Sequence, residues 1–293
     1  MATPAQWLEG ARPRTLPAAV APVLAGTGVA VHADSAEWWK AALAMVVSLA
    51  LQVAVNFAND YSDGIRGTDA DRVGPLRLVG SGVATAAAVK GAALAAFAVA
   101  AVAGLILAAV TSWWLLLVGA GAIAAAWYYT GGARPYGYRG LGEVSVFVFF
   151  GLVAVLGTVF VQTEDLTAAA VWAGCGIGAL ACAILVANNL RDIPTDEATG
   201  KQTLAVLMGD RGSRELYAGL HAAAYAFLVL LAMAESWWAL LALAAVPLSL
   251  RGLAVVRSGA RGPALIPVLR DTGLTELVYA VGILAGMLVA AGN

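Results

Sequence analysis

Long uninterrupted apolar runs dominate the chain, and polar residues collect between them. Nine runs fall near residues 15–33, 38–58, 84–110, 113–130, 143–161, 166–188, 214–234, 236–255 and 273–292. Each is close to the roughly 20 residues a helix needs to cross the hydrocarbon core of a bilayer. The eighth is the shortest, because Arg251 interrupts it. The pattern predicts an all-α integral membrane protein with nine transmembrane helices, a single membrane-embedded domain over residues 1–293.

Composition removes the soluble alternative. Hydrophobic residues make up 61% of the 293 and charged residues 12%, with a mean hydropathy of +0.83. A soluble domain carries about 25% charged residues, so this chain lacks the polar surface to cover itself in water. The basic pair Arg12 and Arg14 precedes the first run with no clear cleavage site after it, and no cleavable signal peptide is expected. Cys175 and Cys182 share one face of the sixth run, where the geometry of one straight helix disfavours a disulfide and packing is the expected role. No nucleic-acid partner is expected, and the oligomeric state is not legible.

Charge orients the runs. With the N-terminus in the cytoplasm, alternation of nine spans places 16 of the 17 basic residues on the inside, leaving Lys40 outside. The C-terminus then lies outside. The pairs Trp38-Trp39, Trp113-Trp114 and Trp237-Trp238 each open an even-numbered run and mark the outer interface, where indole rings anchor. The outer loops are short, and the long polar loops are cytoplasmic, so chemistry is expected on that face.

Two of those loops are acidic. Asn56, Asn59, Asp60 and Asp63 recur at spacings of three and four along one helix face at the end of the second run, with Asp69 and Asp71 following after a glycine-bearing turn. Asn188, Asp192 and Asp196 repeat the pattern at the end of the sixth run, where Pro194 is a potential break, and Lys201 and Thr203 follow. Two clusters of carboxylate and amide oxygens at one depth suit a hard cation such as Mg²⁺, which takes oxygen ligands and completes its shell with water and phosphates. Arg66, Arg72, Arg77 and Lys201 lie in the same loops and are candidates for the outer oxygens of a diphosphate. Polar groups at membrane depth are costly, which favours function over a solvated turn.

These residues resemble the motifs of the UbiA superfamily of intramembrane prenyltransferases, N-D-x-x-D-x-x-x-D and D-x-x-x-D. Asn59, Asp60 and Asp63 match the first, and Asp192 and Asp196 the second. The last acidic position of the first motif is Gly67 here, with Asp69 two residues on as its replacement. That variant, together with R-P-R-T-L-P-A-A-V-A-P-V-L-A-G from Arg12 to Gly26, Y-T-G-G-A-R-P-Y-G-Y-R-G-L-G-E from Tyr129 to Glu143 and G-K-Q-T-L-A-V-L-M-G from Gly200 to Gly209, is similar to the menaquinone-pathway branch. The resemblance implies a helical bundle around a central cavity in a bacterial inner membrane. It implies a prenyl diphosphate as donor, 1,4-dihydroxy-2-naphthoate as acceptor, and two Mg²⁺ ions held by Asn59, Asp60, Asp63, Asp69, Asp192 and Asp196, with Asn56 and Asn188 in the surrounding shell.

The acceptor carboxylate calls for a cation. Arg134 and Arg139, with Tyr129 and Tyr138 beside them, are the candidates, and Glu143 orients that loop or assists proton removal. His32 and His221 are far apart in topology and are not expected to share a metal. Two rival readings stay open: a superfamily member with another acceptor, and a transporter of divalent cations or organic anions.

Overall fold

The computed structural model describes residues 2–67 and 76–293. Within them all the regular secondary structure is helical, apart from one isolated bridge between Arg139 and Gln202. The short helix α1 (Pro4–Gly10) opens with a capping box, in which Thr3 and Gln6 each accept the other's backbone N–H. After a tight turn over Pro13–Thr15 comes α2 (Pro17–His32), and the two pieces are bent by 48°.

Then follow α3 (Trp38–Arg66), α4 (Ala86–Val110), α5 (Leu115–Tyr128), α6 (Gly142–Thr163) and α7 (Ala168–Ala198). The chain closes with α8 (Leu204–Ala234), α9 (Trp237–Arg257) and α10 (Gly262–Ala291). α3 stops at Gly67, whose φ of 73° is the left-handed conformation that ends helices.

Seven of the described helices are long and apolar enough to cross a bilayer, and the bent pair of α1 and α2 makes an eighth. The ninth expected span is α5, with 14 residues. At about 1.5 Å per residue it reaches roughly 21 Å, short of the roughly 30 Å hydrocarbon core. Its start is delayed because Ser112–Trp114 form a turn instead of a first helical turn. Elsewhere helices run past the apolar limits. α7 continues through Pro194 to Ala198, and α8 begins ten residues before the expected 214, with a backbone break at Gly209.

α7 is the central helix: 72% of its apolar stretch is buried, against 28–44% for the other six. It packs along α8 and against α6, while α3 packs on α4 and α10 lies against α2 and α9. Small residues make these approaches possible. The middle of α6, Phe147–Val153, is π-helical, and a Cβ added at Gly151 would lie 2.6 Å from the Gly178 Cα of α7. Large apolar side chains remain exposed on the outside, including Val102 at 60% and Leu117 at 78%. A face of that kind requires lipid. The chain is therefore a multi-pass membrane protein. All six paired tryptophans are exposed.

Candidate active site

A cavity of about 1070 Å³ runs into the bundle. Its body is walled by apolar side chains such as Leu107 of α4, Val118 of α5, and Phe149 and Val153 of α6. The C-terminal ends of α3 and α7 make its polar mouth, contributing Asn56, Asn59 and Asp63 from one, and Asn188, Asp192 and Asp196 from the other. The two acidic motifs therefore share one chamber.

Asp63 is the meeting point. The Tyr138 hydroxyl donates to its Oδ1, Lys201 Nζ stands 3.7 Å from Oδ2, and Arg77 Nη2 stands 3.9 Å from the same oxygen. Lys201 also lies over the Tyr138 ring, 4.7 Å from its centroid. Lys201 reaches this place because Gly200 turns the chain at φ 74°, after which Lys201 N–H donates to the Asp196 carbonyl at 2.8 Å. The loop carrying Tyr138 is sewn to the same turn, since Gln202 N–H donates to the Tyr138 carbonyl at 3.0 Å.

Asp192 accepts a fork from its neighbour Arg191, Nε to Oδ1 at 2.6 Å and Nη2 to Oδ2 at 2.7 Å. Arg191 also donates to Asn188 Oδ1 at 2.8 Å. The Thr203 hydroxyl reaches Asp196 Oδ2 at 3.4 Å, and Asn59 Oδ1 accepts the Thr130 hydroxyl at 2.8 Å. Pro194 leaves this geometry intact because the helix persists through it, so Asp192 and Asp196 keep their four-residue spacing.

Other residues singled out by sequence stand elsewhere. Asp60 is fully buried, does not line the cavity, and accepts backbone N–H groups from Leu78 at 2.7 Å and Val79 at 3.0 Å. Arg66 donates to the carbonyls of Thr130 and Gly132, clamping the loop after α5 to the end of α3. Arg134 and Arg139 are exposed and do not line the cavity. Glu143 accepts from Asn189 Nδ2 at 3.0 Å and keeps a second, buried oxygen without a partner among the described residues. Tyr129 lines the cavity edge-on to Tyr136, with centroids 5.5 Å apart. Burial pushes the Tyr136 phenol above its ordinary value, and it sits against Ala125 O at 2.7 Å and Ser145 Oγ at 2.9 Å. Asp69, Asp71 and Arg72 lie outside the described residues.

Sequence reasoning missed Arg12, Thr15, Gln52, Arg191 and Thr130, all of which line the cavity. Only the juxtamembrane R-P-R-T stretch carried a signal, and charge orientation absorbed it. Among the described residues no three carboxylate, histidine or cysteine side chains stand close enough to form a metal cage by themselves. The donors present are hard oxygens in two separate groups, a set that fits Mg²⁺ when phosphate and water oxygens complete the shell.

Comparison with known proteins places the chain. A Mycobacterium tuberculosis protein named 1,4-dihydroxy-2-naphthoate octaprenyltransferase is 56% identical over 283 residues, covering 97% of both chains. The Escherichia coli protein of that name is 38% identical, covering 94% of both. Among solved structures, an apo UbiA homolog from Aeropyrum pernix superposes with a TM-score of 0.70 at 18% identity, over 93% of this chain and 97% of that one. A UbiA homolog from Archaeoglobus fulgidus bound to GPP and Mg²⁺ gives 0.69 at 14% identity, over 96% and 99%. At those identities the likeness establishes the fold alone. The model of the UbiA prenyltransferase family matches residues 19–263, and this chain, with its two acidic motifs facing one cavity, belongs to that family.

Proposed function

We propose that the chain transfers a polyprenyl group from a prenyl diphosphate to 1,4-dihydroxy-2-naphthoate, releasing diphosphate and CO₂ and giving demethylmenaquinol. The observation that carries this reading is the division of the cavity, with carboxylates, amides and cations at the mouth and apolar walls behind. A prenyl diphosphate has the same division. The named activity of relatives at 56% and 38% identity supports the acceptor.

Asp63, Asp192 and Asp196, with Asn59, are the residues that would hold Mg²⁺, two ions in our reading, and Asp69 belongs to the same motif. Bound there, Mg²⁺ supplies charge neutralisation to the leaving diphosphate. Arg77 and Lys201 are held beside Asp63, where they meet the outer phosphate oxygens. Asn56 and Asn188 complete the polar rim, and Arg66 secures the loop that presents Tyr138.

The allylic C–O bond breaks with its electron pair going to diphosphate. The naphthoate carbon that bears the carboxylate forms the new C–C bond, and the bond to CO₂ then returns its electrons to the ring. No ring proton has to be removed, so Glu143, fixed by Asn189, serves to orient its loop. The walls of Phe149 and Val153 keep water from the allylic cation.

The bacterial relatives support a bacterial inner membrane, where we read residues 1–293 as a single membrane-embedded domain. The positive-inside distribution favours an N-terminus and cavity mouth on the cytoplasmic side and, with the short α5 counted as a ninth crossing, a C-terminus outside. An acceptor panel tests the function. Purified protein in detergent is expected to prenylate 1,4-dihydroxy-2-naphthoate and to leave 4-hydroxybenzoate untouched. The reverse preference sinks the acceptor assignment.

A further inference from the structure

We propose that Arg12 is the residue that binds the acceptor's carboxylate, which rests on the reading that the acceptor is an arene carboxylate. The cations lining the cavity sort by what they already touch. Arg77 and Lys201 stand against Asp63, Arg191 is forked on Asp192, and Arg270 is paired with Asp271 at 2.8 Å. Arg14 is exposed. Arg12 lines the cavity, its guanidinium makes no hydrogen bond or ion pair among the described residues, and its Nη2 is buried without a partner. A buried donor left without an acceptor is costly, and a ligand that supplies the acceptor removes that cost.

The backbone fixes where this guanidinium sits. Arg12 lies between α1 and α2 in the left-handed region, φ 55° and ψ 68°, which non-glycine residues seldom adopt. Thr15 holds it there, donating both its N–H and its hydroxyl to the Arg12 carbonyl at 2.9 Å. Thr15 Oγ1 in turn accepts Gln52 Nε2 at 2.9 Å and Asn56 Nδ2 at 3.0 Å, and Asn56 also donates to the Ala11 carbonyl at 2.9 Å. Two side chains of α3 thus hold a strained residue whose own side chain is unengaged among the described residues. A planar fork of N–H donors matches a carboxylate bidentately. The diphosphate already has Arg77 and Lys201, which leaves Arg12 for the second anion in the cavity. Arg134 and Arg139, exposed and away from the cavity, do not meet this requirement.

Direct binding tests the assignment without turnover. The intact protein in detergent is titrated with 1,4-dihydroxy-2-naphthoate and, separately, with 1,4-dihydroxynaphthalene, which lacks the carboxylate. Arg12→Gly removes the side chain and relieves the backbone, so its thermal midpoint should stay level or rise. Its affinity for the naphthoate should fall at least tenfold, while binding of the carboxylate-free ring stays unchanged. Arg12→Lys should retain part of the naphthoate affinity. Equal naphthoate affinity in wild type and Arg12→Gly overturns the assignment alone. So does a loss confined to the prenyl diphosphate, which would make Arg12 a diphosphate ligand. A wild type that binds the carboxylate-free ring but no naphthoate overturns both this assignment and the acceptor reading above.

Discussion

Asp60 binds the protein's own backbone, while Asp63, one turn further along α3, faces the cavity. The two carboxylates of one motif therefore separate in role. Asp60 fixes the Leu78–Val79 turn beneath the mouth, and removing it leaves two N–H groups without acceptors. Asp60→Ala is expected to cost about 2–3 kcal/mol of stability, read from thermal or denaturant unfolding in detergent. Asp63→Ala should abolish turnover while unfolding near the wild-type midpoint. Equal destabilisation by both would contradict the division.

Tyr138 joins the two acidic regions, donating to Asp63 while Lys201 lies over its ring. Tyr138→Phe keeps the ring and removes the donor. A lost hydrogen bond to a charged group is worth about 1.5 kcal/mol, so KM for the prenyl diphosphate should rise roughly tenfold. A change confined to KM of the acceptor would place Tyr138 on the other substrate.

The contact of α6 with α7 has no room for a side chain at Gly151. Gly151→Val drives the π-helical segment away from Gly178, and overpacking of this kind costs about 1–3 kcal/mol. The expected reading is a lower thermal midpoint together with lower activity, because Phe149 and Val153 of the same segment wall the cavity. Unchanged stability would mean that α6 is not seated on α7 as described.

Glu276 on α10 is fully buried, and both carboxylate oxygens lack a partner among the described residues. It lies outside the cavity lining. Glu276→Gln keeps the shape and removes a group that is expensive to ionise there. The substitution is expected to stabilise the fold by about 1–2 kcal/mol, with activity retained. Destabilisation beyond that size would reveal a partner for the carboxylate.

Much of the fold is legible from local pattern. Apolar length marks the helices, and the spacings from Asn56 to Asp63 and from Asn188 to Asp196 put each motif on one face. What escapes depends on contacts distant in sequence. Asp60 and Asp63 look equivalent along α3, and only the return of residues 78–79 separates them. Arg12 and Arg139 look alike as juxtamembrane cations, yet the bend before α2 brings one to the cavity and the loop after α5 leaves the other in solvent. Pro194 reads as a breaker by intrinsic preference, whereas packing of the central helix carries α7 through it. The short α5 escapes because hydropathy registers the apolar Trp113-Trp114 pair as span, while the backbone there turns.

The central claim is that the two acidic motifs act together on a prenyl diphosphate through a divalent cation. Product formation from 1,4-dihydroxy-2-naphthoate and a long prenyl diphosphate tests it most directly, with Mg²⁺ titrated against chelator in wild type, Asp63→Asn and Asp192→Asn. The account predicts a Mg²⁺-dependent prenylated, decarboxylated product in wild type and at least a hundredfold loss in either variant, a difference of about 2.7 kcal/mol or more in the barrier. Full turnover in chelator, or in either single variant, would contradict it.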